Sequence, residues 1–263
     1  MKRKKLGKAI LIVSLVAVLL VGGTWAYLNA KTNVKLNPFT FTEGLSALLL
    51  EPKWDGDTTG NDVNDLGTPT GQLGKTLAQN LVPDVNVPKN PQVKNTCDVA
   101  EYIGVRLTFQ TKNTSGTTVT MTQAQYTLLM SLIDIQYGAS APFTSGYNPD
   151  WPMLGGTART TPVHAVYYRF ASVGVASPVL GGASTTAIFD NIYIKDSITG
   201  EQLEWLNGTA DYNSVPKLNG GFQIFIEGAA VQASVFNPLI EGTTTSGGAL
   251  QLRTDLYTML TTP

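Results

Sequence analysis

The stretch Tyr102-Ile-Gly-Val-Arg-Leu-Thr-Phe109 decides the fold class. Ile103, Val105, Leu107 and Phe109 alternate with Tyr102, Gly104, Arg106 and Thr108. A side-chain period of two belongs to a β-strand that turns one face to a core. Downstream, Thr122 and Gln125 have the spacing of a capping box ahead of Tyr126, Leu129, Met130 and Ile133, which predicts a short helix there. Asn113 to Thr118 supplies the preceding turn, and Tyr137 to Gly156, with Pro142, Pro149 and Pro152, reads as an excursion. Strand patterns return at His164–Val173, Thr186–Ile194 and Phe222–Val231, with Phe222, Ile224 and Ile226 on one face and Gly228 marking a bulge. Leu252, Leu256, Met259 and Leu260 have helical spacing and predict a short closing helix. Many turn-separated strands with one or two short helices predict an all-β, antiparallel sandwich.

Upstream of the deciding strand the pattern is interrupted. Phe39 and Phe41 alternate with Thr40 and Thr42, whereas Val34 and Leu36 flank Lys35 in the opposite parity, with Asn37 and Pro38 between. A shift of one residue reverses the faces of a strand, so a single strand cannot hold both sets on one side. Residues 27–37 are therefore read as a leading segment, and 38–263 as the body, whose first strand starts at Phe39. An apolar run resumes at Leu45–Glu51 after Gly44. Asp55 to Thr76, dense in Gly, Asp, Asn and Thr, reads as a long surface loop.

The N-terminus carries its own signature. Lys2, Arg3, Lys4, Lys5 and Lys8 precede an uncharged apolar run from Ala9 to Val21, and small residues then lead to Ala26. That is the plan of a signal peptide spanning 1–26, and a run of 13 residues is shorter than the roughly 20 of a membrane span. Cleavage is expected between Ala26 and Tyr27, with Ala30 as the second choice. No cysteine follows the apolar run, as a lipoprotein would need, and Gly22 and Gly23 end it too abruptly for a pilin helix. Removing 1–26 takes away five basic residues and no acidic ones, leaving 13 Lys and Arg against 19 Asp and Glu. Nucleic acid is disfavoured as a partner, because neutralising phosphates takes clustered basic side chains.

The inventory for chemistry is thin. With Cys97 as the one cysteine, no intrachain disulfide can form, and nothing in the local sequence makes it a nucleophile. His164 is the one histidine, whereas the usual zinc peptidase needs two at helical spacing with a Glu between them. It is expected at a sheet face or edge. Asp55, Asp57, Gly60 and Asp62 imitate part of a calcium loop, but Leu66 stands at the twelfth position where a bidentate carboxylate belongs. A solvated loop is the expectation, with calcium the cofactor to test and no other implied. Trp54, Trp151 and Trp205 fit core packing better than a carbohydrate-binding face.

Several segments together resemble a known family. Gly22-Gly-Thr-Trp-Ala-Tyr-Leu-Asn29 is similar to the signal end of exported proteins processed by the dedicated signal peptidase SipW. Glu51-Pro-Lys-Trp-Asp55, Leu81-Val-Pro-Asp-Val-Asn-Val-Pro-Lys-Asn-Pro-Gln-Val-Lys-Asn-Thr96, Tyr167-Tyr168, Phe189-Asp190 and Phe222-Gln-Ile-Phe-Ile-Glu-Gly-Ala-Ala-Val-Gln-Ala233 resemble the body of the TasA/camelysin family. Cys97 departs from a usual glycine, Asp84 replaces a turn glycine, and the 55–76 loop is long. The resemblance implies a jelly-roll β-sandwich secreted by a Gram-positive cell to its surface or matrix. It further implies assembly into biofilm fibres in which the leading segment of one copy completes the sheet of the next, with an accessory protein as a possible nucleator. Leu28, Val34 and Leu36 would then be the donor-strand residues, with Val34 and Leu36 filling apolar slots. The camelysin branch keeps a cell-surface metallopeptidase as the alternative, and an adhesin or carbohydrate-binding sandwich is the third reading. Polymerisation that needs Tyr27–Asn37, chelator-sensitive proteolysis, and glycan retention through surface tryptophans separate the three.

Overall fold

The structure, a computed structural model, describes residues 39–41, 45–59, 64, 73–79, 81–154, 159–168 and 178–233. The chain divides into two units, Met1–Leu36 and Asn37–Pro263. The first, with the expected signal peptide and most of the leading segment, lies outside the described residues, as does the expected closing helix. Among the described residues no helix is long and apolar enough to cross a membrane.

The elements run β1 (Phe39–Phe41), β2 (Ala47–Leu50), α1 (Pro52–Asp55), α2 (Gly74–Leu77), β3 (Val85–Pro88), β4 (Gln92–Asn95), β5 (Glu101–Lys112) and β6 (Thr118–Thr120). They continue with α3 (Gln123–Leu132), β7 (Ile133–Tyr137), β8 (Thr144–Ser145), β9 (Val163–Tyr167), β10 (Asn191–Ile194), α4 (Gly200–Leu206) and β11 (Asn219–Gln232). One sheet has the order β1-β11-β5-β6 with β9 also on β5, a second has β3-β10-β7-β8, and β2 pairs with β4. The protein is all-β and its sheets are antiparallel as expected, with β1 and β11 the one parallel pair among the described residues.

The deciding strand is the axis of the larger sheet. β5 pairs with β11 along almost its whole length, from Lys112 opposite Asn219 to Glu101 opposite Gln232. Ile103, Val105, Leu107 and Phe109 share one core with Ile224, Ile226 and Ala230 of the same sheet and with Val87, Ile133, Ile135, Ile192 and Ile194 of the second. Burying side chains of this size contributes about 1.5–3 kcal/mol each, which is what draws the two sheets to a common interior. Trp151 and Trp205 are wholly buried in that core, and their indole N–H groups donate to the carbonyls of Thr186 and Pro216, both at 3.0 Å. They offer no surface for a glycan.

The capping box at Thr122 and Gln125 is present as expected, and α3 turns Tyr126, Leu129 and Leu132 inward. An equivalent box at Thr199 and Gln202 starts α4, which buries Trp205 and Leu206. Four short helices thus stand among the described residues where one or two were expected. Two of them bound the 55–76 segment, so its ends are ordered turns of helix and not open loop.

Two further expectations change. Register runs unbroken through Gly228, opposite Val105, and the irregularity lies between Asn219 and Gln223. Gly220 and Gly221 occupy it with φ of 71° and 79°, a region costly for any residue with a Cβ. The second change concerns the outward face of β5. Tyr102 is buried there with Leu154, Ala165, Tyr167, Ala229 and Val231 in a separate small cluster, so that face is apolar at one end and polar only toward Arg106 and Gln110.

Candidate functional site

The candidate site is one edge of the larger sheet, along β11. β11 has 14 residues. β5 covers one side of it, and on the other side, among the described residues, β1 pairs with Gly228, Ala229 and Ala230. Among the described residues, β11 from Phe222 to Glu227 therefore has no strand on its outer side. Along that length Ile224 and Ile226 are buried on the core face, while Gln223, Phe225 and Glu227 alternate with them on the outward face. Glu227 forms an ion pair across the sheet with Arg106. A strand with one row of backbone donors and acceptors unpaired is a template for another strand. The sequence carried a trace of this in the alternation Phe222, Ile224, Ile226 followed at once by the small residues Gly228, Ala229 and Ala230.

Leu28, Val34 and Leu36, and the cleavage pair Ala26 and Tyr27, lie outside the described residues. What the structure places is the strand that follows them, β1 at Phe39–Phe41. Of the calcium imitation, Asp62 also lies outside. Asp55 Oδ1 accepts the Asp57 amide at 3.1 Å, and buried Asp57 accepts the Thr59 amide at 2.9 Å through its own Oδ1. Asp57 is thereby a folded turn residue, which corrects the expectation of a solvated carboxylate. Among the described residues no group of three His, Cys, Asp or Glu side chains is placed to hold a metal ion.

The segments that carry the family resemblance meet in a second place. Lys89 donates to Glu51 Oε1 at 2.5 Å with both side chains buried, and its ammonium lies 4.5 Å from the centre of the Trp54 ring. Lys53 pairs with Asp190 at 2.7 Å, Asp190 also accepts the Gly138 amide at 2.9 Å, and the Lys53 amide donates to Asn90 Oδ1 at 2.6 Å. Gly74 closes the cluster, because a Cβ there would stand 1.8 Å from the Pro88 carbonyl oxygen. Each of these charges has an opposite charge in contact, and the cluster holds α1 and α2 against the ends of β3 and β10.

His164 lies on the core face of β9, level with Leu107. Its Nδ1 is 3.4 Å from the Thr161 carbonyl, and its Nε2 and the Tyr147 hydroxyl are buried without hydrogen-bond partners. Burial pushes the imidazole down to about 4, and nearby Arg159 acts in the same direction, so the ring is neutral at pH 7. The Arg159 guanidinium sits 4.3 Å over the Tyr147 ring and donates to the Trp151 carbonyl at 2.5 Å. Burial raises Tyr126 to about 12 and raises Tyr147 further. The described surroundings of His164 do not fit a zinc centre, with a cation beside the ring and neither a second His nor a Glu. Cys97 is half-buried with Sγ 3.5 Å from the Ser46 carbonyl, and desolvation followed by its contact with Glu101 raises the thiol, which opposes thiolate chemistry.

No family model matches the chain, and no curated protein matches it. Among solved structures it is similar to one described as AvmM, which catalyses macrocyclization in alchivemycin A biosynthesis, at 13% identity over 80% of this chain and 95% of that one, with a TM-score of 0.28. A superposition that loose carries no argument about fold or function.

Proposed function

We propose that this chain is a secreted structural subunit that polymerises into extracellular matrix fibres, its body a jelly-roll β-sandwich and its leading segment a donor strand. The observation that carries the reading is the edge of β11, unpartnered among the described residues from Phe222 to Glu227 and continuous with the short β1. Addition of a strand there would satisfy a row of backbone hydrogen bonds, and side chains at every second position would meet Ile224 and Ile226. A contact between the leader of one copy and the edge of another is head-to-tail, does not close, and so propagates as a filament. The resemblance of residues 22–29 to SipW substrates adds a trigger, since the leader gains a free end only when the signal peptide is removed.

The partners on this reading are further copies of the chain, the dedicated signal peptidase and an accessory nucleator, with no role for nucleic acid. Electron microscopy of the full chain secreted by a host that carries the peptidase, beside a variant lacking Tyr27–Asn37, tests it. Fibres from the first and discrete particles from the second are expected. Discrete particles from both would overturn the reading.

A further inference from the structure

We propose that the outward face of the second sheet binds a glycan built of amino sugars, with one sugar ring seated on Tyr193. The inference goes beyond the fibre reading and does not depend on it. Val87, Ile133, Ile135, Ile192 and Ile194 of that sheet belong to the core, so the residues between them form its other face. Register puts Tyr193 between Asn86 and Asp134, and in the next row it puts Asn191 between Pro88 and Gln136, with Ser145 beyond Gln136. Asn86 and Ser145 are exposed, while Tyr193, Asp134 and Gln136 are half-buried. The Tyr193 hydroxyl donates to Asp84 Oδ1 at 3.0 Å, which holds the ring in place on this face.

Two features separate this face from an ordinary solvated one. The first is charge. Asp134 accepts the Ser145 hydroxyl at 2.6 Å and the Gln136 amide at 3.1 Å, and among the described residues neither Asp134 nor Asp84 has a basic side chain in contact. The ammonium of Lys195, two residues after Tyr193, donates instead to the Ser131 carbonyl at 2.8 Å. The second is an unmade pair of hydrogen bonds. Asn191 is 3% exposed with its Nδ2 buried and without a partner, and Oε1 of Gln136, directly opposite on β7, is in the same state. Leaving a buried donor and a buried acceptor unsatisfied is unfavourable. Sugar hydroxyls both donate and accept, so neighbouring hydroxyls of one glycan satisfy the two amides together, and the broad terminal torsions of Asn and Gln let both turn to a ligand above them. Successive rows lie about 7 Å apart along a strand, so a ring on Tyr193 brings the next unit of the same glycan over Asn191 and Gln136. An amino group on the sugar, an ammonium at mildly acidic pH, gains from Asp134 and from the face of the Tyr193 ring. A lysine-rich peptide would meet the same charge but leave the amide pair unused.

The test measures retention of the full secreted chain on immobilised hexamers of glucosamine, N-acetylglucosamine and glucose, and on hexalysine, at mildly acidic pH and low salt. The glucosamine hexamer is expected to hold the chain about tenfold more tightly than the other three probes, with an affinity that falls as salt is added. Tyr193→Ala is expected to weaken that binding about tenfold, whereas Tyr193→Phe, which keeps the ring, retains it. Asp134→Asn, equal in size, is expected to weaken it by a similar factor and to flatten the salt dependence. Thermal melts of each variant separate lost binding from lost folding, and Asp134→Asn decides the matter if Tyr193→Ala does not fold. Equal retention on hexalysine assigns the face to basic peptides and overturns the glycan. Equal retention on the acetylated hexamer overturns the amino-sugar class. No retention on any probe, or retention that neither Tyr193→Ala nor Asp134→Asn reduces, removes the site. Whether the same chains form fibres has no bearing on any of these outcomes.

Discussion

The two ends of β11 are made by the same strand under different constraints. At Gly228–Ala230 it lies between β1 and β5, and both faces are buried, one against the main core and one against Tyr102, Leu154 and Tyr167. At Phe222–Glu227 β5 alone flanks it among the described residues, and one face looks outward. The first arrangement is complete in a single copy. The second has its hydrophobic layer in place and, among the described residues, no strand beyond it, the arrangement on which the proposed fibre reading draws.

The comparison is broken most directly by removing bulk from each end in turn. Tyr102→Ala empties a site that is 2% exposed in the outward cluster at the closed end. A loss of about 3–5 kcal/mol in unfolding free energy is expected from urea titration, as for other large aromatic truncations. Phe225→Ala, at a half-buried position of the open end, is expected to cost about 1 kcal/mol. Equal losses at the two positions would mean that the open end is already covered in the monomer.

The interior beneath β9 sharpens the comparison through pH. The His164 imidazole ionises at about 4 in the folded protein against an ordinary 6.5. Between those values the unfolded chain binds the proton and the folded one does not, so this stabilising contribution is complete above pH 6.5 and falls away as pH drops toward 4. The gap corresponds to at most about 3 kcal/mol. Thermal melts from pH 7 to 4 are expected to show a decline that His164→Gln flattens. Because His164 sits in the closed part of the fold, acid is expected to act by loosening the body and not by altering the edge. A pH dependence unchanged in His164→Gln would assign the acid response to other groups.

What was legible in the sequence tracks how local each determinant is. The alternation from Ile103 to Phe109 and the capping box at Thr122 are written in adjacent residues, and both elements form where they were read. The box at Thr199 and Gln202 is as local, but the helix it starts is only Gly200–Leu206, too short for its apolar spacing to stand out. β3 and β4 have four residues each and are punctuated by Pro88 and Pro91, so their strand character comes from β10 and β2, which are distant in sequence. Tyr102 looked like a polar-face residue because its alternation partners are Gly104, Arg106 and Thr108, and only the arrival of Leu154 and Tyr167 makes that face a second interior. The edge of β11 was least legible, since its pairings with β5 and β1 join segments distant in sequence. The leader and Asp62 lie outside the described residues, so their reading still rests on sequence.

The sharpest break between the two ends is expected from a change that leaves stability alone. Val34→Asp with Leu36→Asp adds two carboxylates to the leader, at two of the positions proposed as donor-strand side chains. If the leader of a single copy does not cover its own edge, the secreted double variant loses no packing as a monomer. Its unfolding free energy is then expected to stay within about 0.5 kcal/mol of the parent, the range of ordinary surface substitutions. Fibres are nonetheless expected to disappear, because each junction would have to bury two unpaired charges, and desolvating even one without a partner costs several kcal/mol. Monomer stability measured by denaturant titration and fibre mass measured by sedimentation would therefore separate. If the variant loses several kcal/mol of monomer stability together with its fibres, the leader is part of its own fold, and the open end of β11 is closed within one chain.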